Sequence, residues 1–323
     1  MRPVVLVTHP IHAEAMSLIG SVAELRVLSN PNEAGLLREI PEADALLVRM
    51  PISPEVIRAG KRLRVVARHG VGLDYIPVDV CTQLGIPVTF TPDANTESVA
   101  EHVIGGMIAL AHRFAPADRA IRQGNWAWRD TNIGCDLFGR TLGVIGLGRI
   151  GLRVAEIAAQ AFRMKVFGYD PYLSADVVAS RGVICAPLDE LLSDSDFVTV
   201  HAPLTPDTRH LLDSVRIASM KRGSFLINAA RGGLVATDAL AEALSTRHLA
   251  GAALDVLEDE PPKPGNPLVG LENVLITPHS AALTEEAMYR MGITAAEDIV
   301  RVLRGHAPIN IANHPAQTGV GPN

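Results

Sequence analysis

An apolar strand pattern at residues 142–145 runs straight into Gly146-Leu147-Gly148-Arg149-Ile150-Gly151, and a helix pattern over 153–161 runs out of it. This junction narrows the available folds more than anything else in the chain. The G-x-G-x-x-G spacing alone says little, because loops produce it by chance. Between a strand and a helix, however, each glycine has a task. Gly146 permits the tight turn, Gly148 lets the backbone approach a pyrophosphate, and Gly151 allows the helix to pack closely on the strand. The free N–H groups and positive dipole end at the helix start suit an anion. Residues 146, 148, 149, 150 and 151 (Gly146, Gly148, Arg149, Ile150 and Gly151) are therefore candidate cofactor contacts. The next strand ends at Asp170, about 20 residues on, where a carboxylate can accept hydrogen bonds from both ribose hydroxyls and repel a 2′-phosphate. The segment predicts a dinucleotide-binding unit that prefers NAD to NADP.

Strand and helix patterns alternate on both sides. A short β-branched run occurs at 4–8 and further strands are expected at 25–28, 45–48, 65–68 and 88–90, with helical stretches such as 13–19 and 54–59 between them. In the second half, strands are expected at 141–145, 165–169, 197–200, 224–228, 250–254 and 274–277. Strands separated by helices pair in parallel, and six in this order match two mononucleotide-binding halves. At roughly 100–200 residues per domain, 323 residues predict two domains, α/β in class, each a doubly wound parallel sheet. A long apolar helix over 96–113, with Thr96 as N-cap, is expected between domains or subunits. A last helix over 285–304 is expected to return to the first domain. Residues 1–95 plus 284–310 would then form a discontinuous domain, with residues 96–283 inserted in it. The polar stretch 311–323 is expected to be a flexible tail.

Composition removes other classes. Lys and Arg number 29 against 35 Asp and Glu, a formal net charge of −6, and no basic run is long enough to neutralise a nucleic-acid backbone. Apolar residues make up 48% but aromatics only 4%, so the cores must be aliphatic, as suits parallel strands buried under helices. Cys81, Cys135 and Cys185 are odd in number and form no CxxC. That disfavours disulfides and thiolate metal sites and suggests buried thiols in a reducing compartment. Residues 1–9 lack the basic start and apolar stretch of a signal peptide, and no apolar run reaches membrane-spanning length. The cytoplasm is the expected location, with no membrane, nucleic acid or metal as partner.

Three charged residues follow strand ends in the second half: Arg231, Glu260 and His279. In doubly wound sheets, ligands bind beyond the carboxyl ends of the strands, so all three should face one crevice. A histidine suits proton transfer to and from a hydroxyl whose carbon loses hydride. A nearby carboxylate favours the imidazolium. An arginine can grip a substrate carboxylate at two points and hold that carbon against a nicotinamide. Singly these are ordinary residues. Behind a dinucleotide turn they point to an NAD-dependent dehydrogenase of 2-hydroxy acids.

Four blocks together resemble the D-isomer-specific 2-hydroxyacid dehydrogenase family: LGVIGLGRIG with Tyr169-Asp170, Asn228-Ala229-Ala230-Arg231-Gly232, LDVLEDEPP, and Thr277-Pro278-His279. The likeness runs over residues 45–304. It implies a Rossmann NAD-binding domain inserted in a flavodoxin-like substrate domain, and hydride transfer between the nicotinamide and C2 of a small 2-hydroxy or 2-oxo acid. It also implies a homodimer, with 96–113 and the tryptophan-bearing loop 123–134 as candidate interface. On this resemblance Arg231 binds the substrate carboxylate, Glu260 partners the acid/base His279, and Asp255 positions the nicotinamide carboxamide. His201 and Pro203 fall on the adenosine side, while Thr208, Ala229, Arg231, His279 and Ala281 fall among the cofactor contacts. His69, Gly70, Val71 and Gly72 resemble the loop whose backbone N–H groups hold the substrate carboxylate, and Asn95 matches a position near substrate. Arg49 stands where phosphoglycerate-type members bind phosphate, but Met50 follows where a small polar residue is common. Ser280-Ala281-Ala282 replaces a glycine-richer block. The resemblance implies a phosphoglycerate dehydrogenase-like protein, expected to be without that group's regulatory domain. 3-Phosphoglycerate, hydroxypyruvate or glyoxylate, and a broader 2-oxo acid stay open as substrates. Formate is disfavoured, because formate-specific relatives carry glutamine where Glu260 stands. A dinucleotide-sensing, corepressor-like binding protein is the alternative of another class.

Overall fold

The structure, a computed structural model, describes residues 2–314. It divides into two compact units, Met1–Asn95 with Leu283–Asn323 and Thr96–Ala282. Among the described residues no helix is long and apolar enough to cross a membrane.

The first unit is built on five parallel strands: β1 (Val4–Val7), β2 (Glu24–Val27), β3 (Ala45–Val48), β4 (Val65–Arg68) and β5 (Val88–Thr89), in the order β2-β1-β3-β4-β5 among the described residues. Side chains alternate across a strand, so the aliphatic runs feed two cores. Leu6, Leu46, Val48 and Val66 pack with Leu36, Ile40, Val56 and Ile57 on one face. Val5, Val7, Leu47 and Ala67 pack with Ala15 and Ile19, and with Ala295, Ala296 and Ile299 of the helix Glu285–Leu303, on the other. Each large aliphatic side chain so buried contributes about 1.5–3 kcal/mol. The strand order reverses direction at β1, with β2 on one side and β3 on the other. The carboxyl ends of β1 and β3 therefore border the kind of crevice where doubly wound sheets take ligands.

The expected tail needs a correction. Residues 315–323 lie outside the described residues, but 311–314 belong to the fold. Ile311 bridges Thr89 in antiparallel sense. The Asn313 side chain accepts the Val88 N–H at 2.8 Å and donates to Ile86 O at 3.1 Å and Thr82 Oγ1 at 2.9 Å. Buried Asp298 turns the chain toward this contact by accepting the N–H groups of Ile309 (2.6 Å) and Asn310 (3.1 Å). The physical reason is the sheet edge. β5 carries unpaired backbone groups on its outer side, and a polar segment satisfies them.

The second unit has β6 (Thr141–Ile145), β7 (Lys165–Tyr169), β8 (Ile184–Cys185), β9 (Phe197–Val200), β10 (Phe225–Asn228), β11 (Gly251–Leu254) and β12 (Val274–Ile276). All pair in parallel, in the order β12-β11-β10-β9-β6-β7-β8 among the described residues. Six strands were expected here, and the third of the two-halves pattern is β8, which that expectation omitted. β8 has two residues, both exposed, so it carries no periodic signal to read. Val274–Ile276 then becomes a seventh strand beyond the sixth. Cys185 sits exposed on β8 and Cys135 is half-buried, so of the three thiols only Cys81 is buried as expected. The helix Thr96–Ala111, expected between domains or subunits, buries Ala100, Val103, Met107 and Ala111 in this unit's own core. A Cβ on Gly106 would come 3.1 Å from that of Ala253, so the helix rides close on β11.

Candidate functional site

β6 delivers the glycine turn. Gly146 has φ +89°, a conformation that favours glycine, and its N–H donates to Tyr169 O at 2.8 Å. A Cβ there would lie 2.8 Å from the carbonyl carbon of His201, at the end of β9. At Gly151, in the first turn of the helix Arg149–Phe162, a Cβ would stand 2.0 Å from Gly146 O. Helix and turn approach this closely only because both residues lack side chains. Gly148 is different. Its backbone is extended (φ −70°, ψ −170°) and a Cβ would meet nothing within 4 Å. Its missing side chain serves no internal contact and leaves open the space before the helix start, where Arg149 and Ile150 begin the first turn.

Asp170 closes the side of the turn nearest β7. Its Oδ2 accepts the Leu147 N–H and its Oδ1 the Tyr172 N–H, each at 3.0 Å. The carboxylate is thus fixed beside the turn, with lone pairs left for hydroxyl donors. An open helix start beside a fixed carboxylate fits the pyrophosphate and adenosine ribose of a dinucleotide. The loop after β9 is tied internally, the Thr208 hydroxyl donating to Pro203 O at 2.6 Å. His201 Nε2 lies 3.0 Å from Thr199 Oγ1, and burial pushes the imidazole pKa down to about 4, so the ring is neutral at pH 7.

Arg231, Glu260 and His279 all stand in this unit, beyond the carboxyl ends of the adjacent strands β10, β11 and β12. Asn228, the last residue of β10, accepts the Ala230 N–H at 3.0 Å and donates to Arg231 O at 2.9 Å, which shapes the turn that presents Arg231. Arg231 Nη1 donates to Ala230 O at 2.6 Å. A Cβ on Gly232 would stand 2.0 Å from Leu257 C, so this turn lies directly against the segment leading to Glu260. Glu260 Oε1 accepts the Leu257 N–H at 3.1 Å, and Oε2 lies 2.8 Å from His279 Nδ1. A carboxylate facing Nδ1 places a proton on that nitrogen and leaves Nε2 as the atom able to take or give another. The two side chains are 36% and 35% exposed, open enough to meet a substrate.

His279 takes φ +51° and is held by its own turn. Its N–H donates to Asp255 O at 2.8 Å. The buried Asp255 carboxylate accepts the Thr277 hydroxyl (2.6 Å), the Ser280 N–H (2.8 Å) and the Ala281 N–H (2.9 Å). Asp255 and Ala229 line a cavity of about 210 Å³ with His102, Asn228 and Thr277. Sequence reasoning gave Asn228, Gly232 and Thr277 no role of their own. The signal for each was its place one to three residues from a charged candidate at a strand end.

The remaining candidates belong to the first unit. The Arg49 N–H donates to Thr8 Oγ1 at 2.9 Å, and its Nη1 to Pro10 O at 2.6 Å. Half-burial lowers its pKa. His69 is buried, and burial, with the Arg49 and Arg68 guanidiniums nearby, pushes its pKa down to about 3. Its Nε2 and the Oδ1 of Asn95 are buried without a hydrogen-bond partner among the described residues, an arrangement that calls for a water or a ligand. Gly70 has φ +143°, and Arg68 braces the turn through Gly70, Val71 and Gly72 by donating to Gly72 O (3.0 Å), Val48 O and His69 O (3.1 Å each). That brace was not foreseen, although Arg68 heads the motif.

The NAD binding domain model of the D-isomer specific 2-hydroxyacid dehydrogenases matches residues 104–281. The D-3-phosphoglycerate dehydrogenase of Methanocaldococcus jannaschii is 44% identical over 314 residues, which cover 96% of this chain. The chain spans only 59% of the length of that relative. The glyoxylate reductase of Korarchaeum cryptofilum is 40% identical over 321 residues, covering 97% of this chain and 96% of its own. Among solved structures, the TT0316 protein of Thermus thermophilus superposes with a TM-score of 0.86 at 38% identity, covering 96% of this chain and 100% of its own.

Proposed function

Because this chain belongs to the D-isomer specific 2-hydroxyacid dehydrogenase family, we propose that it interconverts small 2-hydroxy and 2-oxo acids with NAD as cofactor. The observation that carries the reading is the 2.8 Å contact between His279 Nδ1 and Glu260 Oε2, in the same unit as the glycine turn. Bound NAD supplies the hydride acceptor, or in its reduced form the donor, at nicotinamide C4. Arg231 binds the substrate carboxylate as a bidentate donor. His279 Nε2 takes the hydroxyl proton as the C2 hydrogen departs as hydride, and returns it in the opposite direction. Glu260 stabilises the imidazolium so formed. The balance is 2-hydroxy acid plus NAD⁺ giving 2-oxo acid, NADH and one proton. Asp170, with both oxygens already anchored, favours a 2′-hydroxyl over a 2′-phosphate. On the family resemblance, Arg49, His69, Gly70, Val71, Gly72 and Asn95 are the candidate substrate-binding residues of the first unit.

The substrate class includes 3-phosphoglycerate, which Arg49 favours, and glyoxylate or hydroxypyruvate. The test is NADH oxidation with glyoxylate, hydroxypyruvate and phosphohydroxypyruvate, and NAD reduction with 3-phosphoglycerate against glycerate. Turnover on none of them would overturn the enzyme reading and favour a dinucleotide sensor. Turnover of glycerate equal to that of 3-phosphoglycerate would remove the phosphate assignment.

The same reading includes a cytoplasmic homodimer. Its support is an apolar surface on the segment after the helix Thr96–Ala111: Phe114 is 56% exposed, Trp126 67%, Ile133 84% and Phe138 63%. Isolated exposed apolar residues are ordinary, and these four would form an interaction face where they gather into one patch. Sedimentation should give a dimer that Ile133→Asp dissociates, and a monomeric parent protein would refute this face. Three free cysteines accord with a reducing compartment.

A further inference from the structure

The helix Thr96–Ala111 brings an ionisable side chain to the Asp255 turn, and the chemistry above gives it no task. His102 Nε2 lies 3.1 Å from Thr277 Oγ1 and 3.7 Å from Asp255 Oδ1. Thr277 Oγ1 lies 2.6 Å from the same Asp255 oxygen. Proton placement in this chain of contacts follows from the groups themselves. An ionised carboxylate only accepts, and a threonine hydroxyl has one proton to give. Thr277 gives its proton to Asp255, so its oxygen accepts from His102, which must carry the proton on Nε2.

The acceptor capacity of Asp255 is accounted for in the same way. A carboxylate has about four lone-pair sites. Oδ1 meets the Thr277 hydroxyl and the Ser280 N–H, and Oδ2 meets the Ala281 N–H. One site on Oδ2 stays available for an external donor. His102, Asp255, Thr277 and Ala229 line one cavity. The His102 side chain is 31% exposed, so filling a core does not explain it.

We propose that His102 is a positioning residue for the nicotinamide end of the cofactor. It holds the Thr277 hydroxyl on Asp255 and so keeps one Asp255 acceptor site for an amide N–H, the donor that a nicotinamide carboxamide offers. Without the His102 donor, the Thr277 hydroxyl is free to rotate away, and Asp255 exchanges a fixed partner for water. The inference rests on the NAD reading above and concerns only how this chain prepares for that group.

The test compares two ligands that differ only in the nicotinamide. Dissociation constants for NADH and for ADP-ribose are measured by calorimetry on the unaltered protein, His102→Ala and His102→Gln. One net hydrogen bond predicts that His102→Ala weakens NADH about three- to tenfold, with ADP-ribose changed by less than about twofold. His102→Gln, whose amide N–H can stand in for Nε2–H, recovers most of the NADH affinity. Parallel losses for both ligands would mean a general structural role and overturn the proposal. Unchanged NADH affinity in His102→Ala, or a glutamine variant no better than alanine, would overturn it too. Failure of the unaltered protein to bind either ligand is a separate result, and it sinks the NAD reading on which the proposal stands.

Discussion

Two alanine substitutions, three residues apart in one turn, should have opposite consequences. At Gly151 the added Cβ would lie 2.0 Å from Gly146 O and 3.3 Å from Val144 Cγ1. The first distance falls about 1.4 Å short of ordinary contact at 3.4 Å, and the obstacle is backbone, so the start of the helix Arg149–Phe162 must retreat. Overpacking of this kind costs about 1–3 kcal/mol, offset by about 0.4–1 kcal/mol from the lower entropy of the unfolded chain. The net is about 0.6–2 kcal/mol, so at about 2–4 °C per kcal/mol for a unit of this size, Gly151→Ala should melt about 1–8 °C lower. At Gly148 the backbone is already extended and the Cβ meets nothing within 4 Å. Gly148→Ala should therefore melt at the parent temperature or about 1–4 °C above it. Yet its methyl enters the space proposed for the pyrophosphate, so NADH affinity should fall about tenfold or more, or about 1.4 kcal/mol. Thermal melts of the ligand-free proteins and fluorescence titration with NADH separate the two effects. A Gly148→Ala protein that binds NADH like its parent would refute the assignment of that space. A Gly151→Ala protein with an unchanged melting temperature would refute the packing argument.

Other outcomes follow from the same geometry. His279→Ala should lower kcat roughly 100-fold or more, and Glu260→Gln should lower it less, because the imidazole keeps a hydrogen-bond partner; steady-state kinetics with the best substrate checks the order. Asp170→Ala should weaken NAD and narrow its advantage over NADP, and a parent protein that prefers NADP would refute the role given to that carboxylate. Acid should destabilise the fold in a defined window. Unfolded histidines take up a proton near pH 6.5, whereas half-buried His201 does so only at about 4 and buried His69 at about 3. In that interval the unfolded state binds more protons, so stability falls as pH falls from 6.5 toward 4. Melting curves from pH 7 to pH 4 should show this slope, His69→Gln should flatten part of it, and a flat parent profile would contradict the neutral state of both rings.

Much of the architecture was legible residue by residue. The runs at Val4–Val7, Ala45–Val48 and Val65–Arg68 announced buried parallel strands, and the glycine turn with Asp170 announced its own geometry. In each case the determining contact lies within a few residues or across one pair of neighbouring strands. Legibility failed where an element had no pattern. β8 is two exposed residues. The 311–314 segment reads as a tail by composition, although Asn313 and Asp298 fasten it to the first sheet. The resemblance named Glu260 and His279 as partners, but nothing in the 18 residues between them states a distance.

Local sequence was sufficient for the kind of elements, their succession and the requirement for glycine at 146 and 151, because steric conflict and side-chain alternation act at short range. The meeting of Glu260 with His279, of Asp255 with Thr277 and Ala281, and of His102 with that same cluster was set by the packed chain. Parallel pairing of β10, β11 and β12 lays their carboxyl ends side by side, and the helix Thr96–Ala111 comes to rest against β11 because Gly106 lets it approach. Register and close packing join residues far apart in the chain, so they exist only once all the strands are assembled.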